Sequence, residues 1–160
     1  MHTEAKTSNA EKILAWYTLA ASATGAVPVP AASAAIIAEN SAMIAHISSV
    51  MGTPVSVKTV VESLGGVGAV NMIGRSLFIE GAKLLSWGTG SVWALAGLSA
   101  IGASTAGVQT YILGRLAIEI AKQEGASLRD ETARSLIEEC KNTYQTFVQY
   151  WSKQNISKPV

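Results

Sequence analysis

The chain has 160 residues, of which 49% are hydrophobic and 14% charged, against about 25% charged in an ordinary soluble domain. A net charge of +1 leaves no basic footprint for nucleic acid. A single cysteine, Cys140, excludes an internal disulfide and a multi-cysteine zinc site.

The charges are unevenly placed. Residues 13–57 carry only Glu39, residues 84–114 carry none, and residues 122–160 carry 11 of the 23. This division predicts one domain, in which an apolar helical body (residues 1–125) is followed by an amphipathic C-terminal arm (residues 126–160) packed on it. The first ten residues are polar, with Glu4 and Lys6 where the basic and apolar parts of a secretory leader should begin. Any membrane contact is therefore expected from the cytoplasmic side, with a soluble cytoplasmic protein as the alternative.

The first helix is expected to start at Ser8. Ser8-Asn9-Ala10-Glu11 reads as a capping box, in which a hydroxyl caps the first turn and a glutamate three residues on reaches back. It ends before Val27-Pro28-Val29-Pro30, because two prolines remove two amide donors and force extended geometry. The second helix runs over residues 30–51, closed by Gly52 and stopped by Pro54. A third starts near Ser56 and fades at Gly65-Gly66. A fourth covers residues 70–86 and is broken by Trp87-Gly88-Thr89-Gly90. The fifth covers residues 91–123 and ends at Gly125. The sixth runs from Ser127 to about Lys153. No segment alternates as a strand does, so the expected fold is all-α: a compact bundle of about six helices around a long Gly/Ala-rich helix or hairpin.

Residues 84–114 are the most informative stretch. A membrane-spanning helix needs about 20 apolar residues. This charge-free run is longer, but Gly88, Gly90, Gly97, Gly102 and Gly107 interrupt it. Ser99, Ala103 and Gly107 form a small-residue ridge, and Ala96, Ala100 and Ser104 a second beside it. Such ridges let helices pack at close range in membranes. Lys83 and Arg115 bracket the run as snorkelling ends do. The competing reading is a central helix buried in a soluble bundle, which the many Ser, Thr and Gly residues favour.

Catalytic signals are weak. Glu39 and His46 lie seven residues apart and share a helix face, a conceivable proton or metal site with Glu62 brought near by the turn at Gly52-Pro54. No two candidate ligands have the i, i+4 spacing of a zinc helix, and polar residues on the wet edge of a helix are the commoner explanation. Gly65-Gly66-Val67-Gly68 lacks the Lys-Ser/Thr ending of a phosphate loop. No Gly-x-Ser-x-Gly elbow is present, and Cys140 falls on an apolar stripe. No catalytic residue, cofactor or metal site is assigned. That stripe, Leu136, Ile137, Tyr144, Phe147 and Trp151, recurs at helical spacing and is a candidate docking face for a partner.

The order of features resembles one family. Ala26-Val27-Pro28-Val29-Pro30 is followed by a helix ending Ala42-Met43-Ile44-Ala45-His46-Ile47, closed by Gly52. The Gly65–Gly68 turn and the glycine-rich run come next, and the run closes with Gln109-Thr110-Tyr111-Ile112-Leu113-Gly114-Arg115. Over residues 12–125 this looks like the bacterial domain-of-unknown-function family 697, found in YcjF-like inner-membrane proteins and beside GTPase domains. The chain departs from it in having Ala31 to Ala35 where an acidic residue usually follows the Pro-x-Pro element, and Trp87-Gly88 where a Pro-Gly turn is usual. The resemblance implies a helical fold, membrane association and a possible GTPase partner, and no activity.

The leading expectation is a non-enzymatic, membrane-associated helical protein that contacts lipid and self-associates into a homo-oligomer through the small-residue ridges. A partner module for a separate GTPase, and an oligomeric channel or proton relay using Glu39 and His46, are the alternatives.

Overall fold

A computed structural model of the chain describes residues 2–25, 31–65 and 92–159. These residues form an all-helical bundle of α1 (His2–Gly25), α2 (Ala31–Met51), α3 (Val57–Gly65), α4 (Val92–Lys122) and α5 (Asp130–Trp151). The helix expected over residues 70–86 and the breaks at 66–68 and 87–90 lie outside the described residues. The long helix α4 is the centre: α1 and α2 pack on it and on each other, and α5 closes its other side. Leu14, Met43, Ile47, Ile112, Leu116 and Ile120 are fully buried where these helices meet, each contributing roughly 1.5–3 kcal/mol by leaving water.

Most helix ends follow local chemistry. Gly52 closes α2 with φ +71°, and its amide donates to the Ser48 carbonyl at 3.0 Å. The Ser56 hydroxyl accepts from the Thr59 amide at 3.1 Å and caps α3. Gly125 ends α4 with φ +86°, and a Cβ there would come within 2.6 Å of the Pro54 carbonyl oxygen.

Two starts differ from expectation. Helix α1 begins at His2, not Ser8. The extra turn holds the good helix formers Ala5 and Lys6, and Lys6 Nζ donates to the Met51 carbonyl at 3.2 Å. That contact places a cation at the negative end of α2 and ties the turn to the bundle. Helix α5 begins at Asp130, not Ser127. The Ser127 hydroxyl turns away to Glu62 Oε2 at 3.4 Å, and the Leu128 amide donates to Ser63 Oγ at 2.9 Å. Asp130 and Glu131 then offset the dipole of the first turn.

Paired contacts fix the axial register. Gly107 lies against Ser22 and Gly114 against Leu14, so α4 runs antiparallel to α1. Thr110 meets Asn40, and Met43 lies by Gly114, so α4 runs parallel to α2. Tyr111 meets Thr143, and Arg115 meets Glu139, so α5 is antiparallel to α4. Carried along the helices, these pairings set the ends of α1, α2 and α5 level with about residues 101–104 of α4. Residues 92–100 therefore project past the other described helices by about 13 Å.

Among the described residues, no helix is long and apolar enough to cross a membrane. This corrects the expectation of a transmembrane helix for the part of residues 84–114 that is described. Gln109, Thr110 and Tyr111 interrupt the apolar run, and Arg115 follows it; glycine, serine and threonine dilute the rest.

Candidate functional site

The bundle is chemically divided along its axis. The end where α2 closes and α5 begins carries Lys6, Lys58, Glu62, Glu119, Lys122, Glu124, Arg129, Asp130 and Glu131 on its elements. Several are paired: Lys58 with Glu62 at 3.7 Å and Lys122 with Glu119 at 3.6 Å. An open groove of about 510 Å³ lies between α4 and α5, with Arg115, Glu119, Glu131 and Glu139 on its walls. Arg115 is taken by Glu139 at 2.9 Å. At the opposite end, residues 92–114 of α4 bring no charge. There Ala21, Ile36 and Ala106 make a small separate apolar cluster.

Glu39 and His46 do share a face of α2, the one turned to α1, but they are not brought together. Glu39 Oε1 accepts from the Thr24 hydroxyl at 3.0 Å. Its other oxygen, Oε2, is buried without a partner among the described residues. His46 Nδ1 meets the Tyr17 hydroxyl at 2.9 Å. Seven residues separate the two pairs by roughly 10 Å along the helix. Burial, helped by the negative charge of Glu39, raises the Tyr17 phenol above its ordinary value. Glu62 lies elsewhere, beside Lys58 and Ser127. No group of three His, Cys, Asp or Glu that could hold a metal occurs among the described residues.

A third polar pair went unseen in the sequence. The Thr110 hydroxyl donates to Asn40 Oδ1 at 2.7 Å, with both residues buried between α2 and α4. Residues 70 positions apart leave no local signal for such a pair.

Cys140 is 1% exposed. Burial pushes its thiol up to about 11, partly opposed by the Arg115 guanidinium. A thiol held protonated in this way is a packing group and not a nucleophile.

The stripe on α5 turns inward. Ile137 and Tyr144 are buried in the chain's own core, Leu136 and Phe147 pack half-buried against it, and Trp151, half-buried at the helix end, lies beside Phe147 with ring centres 6.2 Å apart. Tyr111 and Phe147 stack with ring centres 4.4 Å apart. This side of α5 holds the bundle together, because a stripe at helical spacing satisfies α4 as readily as an outside partner.

The ridge residues divide in the same way. A Cβ on Gly107 would collide with Ser22 Oγ and Tyr144 OH, so this end of the ridge is filled from within the chain. Ala96, Ser99 and Ala100 fall in the projecting part of α4, and Ala103 and Ser104 at its base; their side chains lie outside the described residues.

Comparison of the chain with protein-family models, with curated proteins and with solved structures finds no match.

Proposed function

We propose that the chain is a non-enzymatic, membrane-associated helical protein. In this reading the charge-free end of α4 enters lipid, and copies pack there through the small residues Ala96, Ser99 and Ala100. The observation that carries the reading is the projection of residues 92–100 past the ends of α1, α2 and α5, on the side away from the clustered charges. About 13 Å of helix reaches roughly halfway into a hydrocarbon core of about 30 Å. That depth suits an element lying in one leaflet. The titratable groups support a non-enzymatic role: Glu39 and His46 are engaged by separate partners, and Cys140 is buried and protonated. The reading rests on this axial division and not on the resemblance to family 697.

Flotation of the intact chain with phospholipid vesicles tests it, together with the particle size after detergent extraction. The expected result is co-flotation and a discrete oligomer in detergent. A monodisperse monomer that stays behind when vesicles float overturns the reading.

A further inference from the structure

Resting on the reading above, we propose that the end of α5 and the tail after it form a collar for the headgroups of anionic lipids, with Lys153 as its principal cation and Tyr150 and Trp151 as its aromatic seats. The pairing of Tyr111 with Thr143 and of Arg115 with Glu139 places Trp151 level with about residue 103 of α4. That level is the base of the projecting stretch, where the water–lipid boundary falls once residues 92–100 are inserted.

The residues at this level suit the boundary. Tyr150 is 58% exposed, so its ring stands open to the surroundings. It stands edge-on to Trp151 with ring centres 5.2 Å apart. Tyrosine and tryptophan concentrate at membrane interfaces, where one end of the ring is apolar and the other wet. The charge pattern agrees. After Glu139 the sequence brings Lys141, Lys153 and Lys158 and no acidic side chain. Lys141 is taken by Glu138 at 2.7 Å. Lys153 and Lys158 are exposed, and neither joins an ion pair with a described residue. Lys158 lies further from the end, with Nζ 5.9 Å over the Trp16 ring. The carboxylate of Glu39, the acidic group nearest this end among the described residues, is turned inward to Thr24. Charges of both signs are interleaved at the far end; Lys153 at this level has no acidic partner among the described residues. An ammonium at the boundary meets a lipid phosphate, and its apolar stem lies along the rings.

The test is co-sedimentation of the intact chain with vesicles of phosphatidylcholine alone, and with about a third phosphatidylglycerol added, at low and at high salt. The chain is expected to bind the anionic vesicles about tenfold more tightly, and to lose that preference at high salt. Lys153→Gln should weaken anionic binding about fivefold and leave neutral binding unchanged, with a smaller further loss on adding Lys158→Gln. Equal binding to both vesicles by the unaltered chain, or an undiminished anionic preference in K153Q/K158Q, overturns the collar and leaves the insertion reading standing. Failure to bind either vesicle overturns both.

Discussion

The hydroxyl of Tyr144 in α5 rests on the backbone of Gly107 in α4, where a side chain would collide with it and with Ser22 of α1. Ser22 Oγ and the Tyr144 hydroxyl are 3.4 Å apart across this point. Three helices meet there, and the absent Cβ is what lets them meet. Overfilling a packed site of this kind costs about 1–3 kcal/mol. Gly107→Ala should therefore lower the unfolding free energy by that amount in urea titration, and Gly107→Leu by more. The loss should be the same at every protein concentration, because the contact lies within one chain. A loss seen only at high concentration would return Gly107 to an interface between copies.

The buried pair of Asn40 and Thr110 makes a second test. Thr110→Val keeps the shape and removes the donor, leaving Asn40 Oδ1 without it in the core. An unsatisfied buried acceptor costs about 1–3 kcal/mol. Replacing Asn40 with Leu in the same chain should recover part of that loss, since an apolar pair has no polar group to strand. The coupling energy of the double-mutant cycle checks this, and additive losses would show that the two residues do not interact.

Burial of Cys140 sets an alkaline limit on stability. Its thiol ionises near 9 in the unfolded chain and is raised to about 11 in the bundle. The unfolded chain thus releases the proton first as pH rises. The stabilising contribution is complete below about pH 9 and is lost between about 9 and 11, amounting to roughly 3 kcal/mol. The phenols of Tyr17 and Tyr111, also raised by burial, add in the same direction at higher pH. Denaturation midpoints across this window should fall less steeply in Cys140→Ala than in the unaltered chain. The same burial predicts that a soluble thiol reagent labels Cys140 only after unfolding. Rapid labelling of the native chain at pH 8 would place the thiol outside the core.

How much of this was legible in the sequence follows the range of each interaction. The end of α2 and the start of α3 were readable because Gly52 donates to a carbonyl, and Ser56 accepts from an amide, only a few residues away. The start of α1 was misread because a good local capping signal at Ser8 competes with a long-range one, the hold of Lys6 on the Met51 carbonyl. Ser127 failed as a cap for a similar reason, its hydroxyl being drawn to Glu62. The face shared by Glu39 and His46 was visible in their spacing; that the face meets Thr24 and Tyr17 of α1, and not a ligand, depended on helix packing. Gly107 was recognisable as a close-packing residue, but spacing alone does not say whether the helix it admits comes from the same chain.

The projecting end of α4 offers the most direct test of function. Leu98→Glu places a charge in a stretch that lies past the ends of α1, α2 and α5. A carboxylate in the apolar part of a bilayer costs about 2.5–3.5 kcal/mol on insertion scales, or roughly a hundredfold in partitioning. Vesicle flotation should therefore fall by about that factor. The unfolding transition in the absence of lipid should move by less than about 1 kcal/mol, as for a surface change. Undiminished flotation would show that residues 92–100 do not enter lipid. A large loss of stability without lipid would show that the bundle itself covers them, and residue 98 would then belong to a core of this chain.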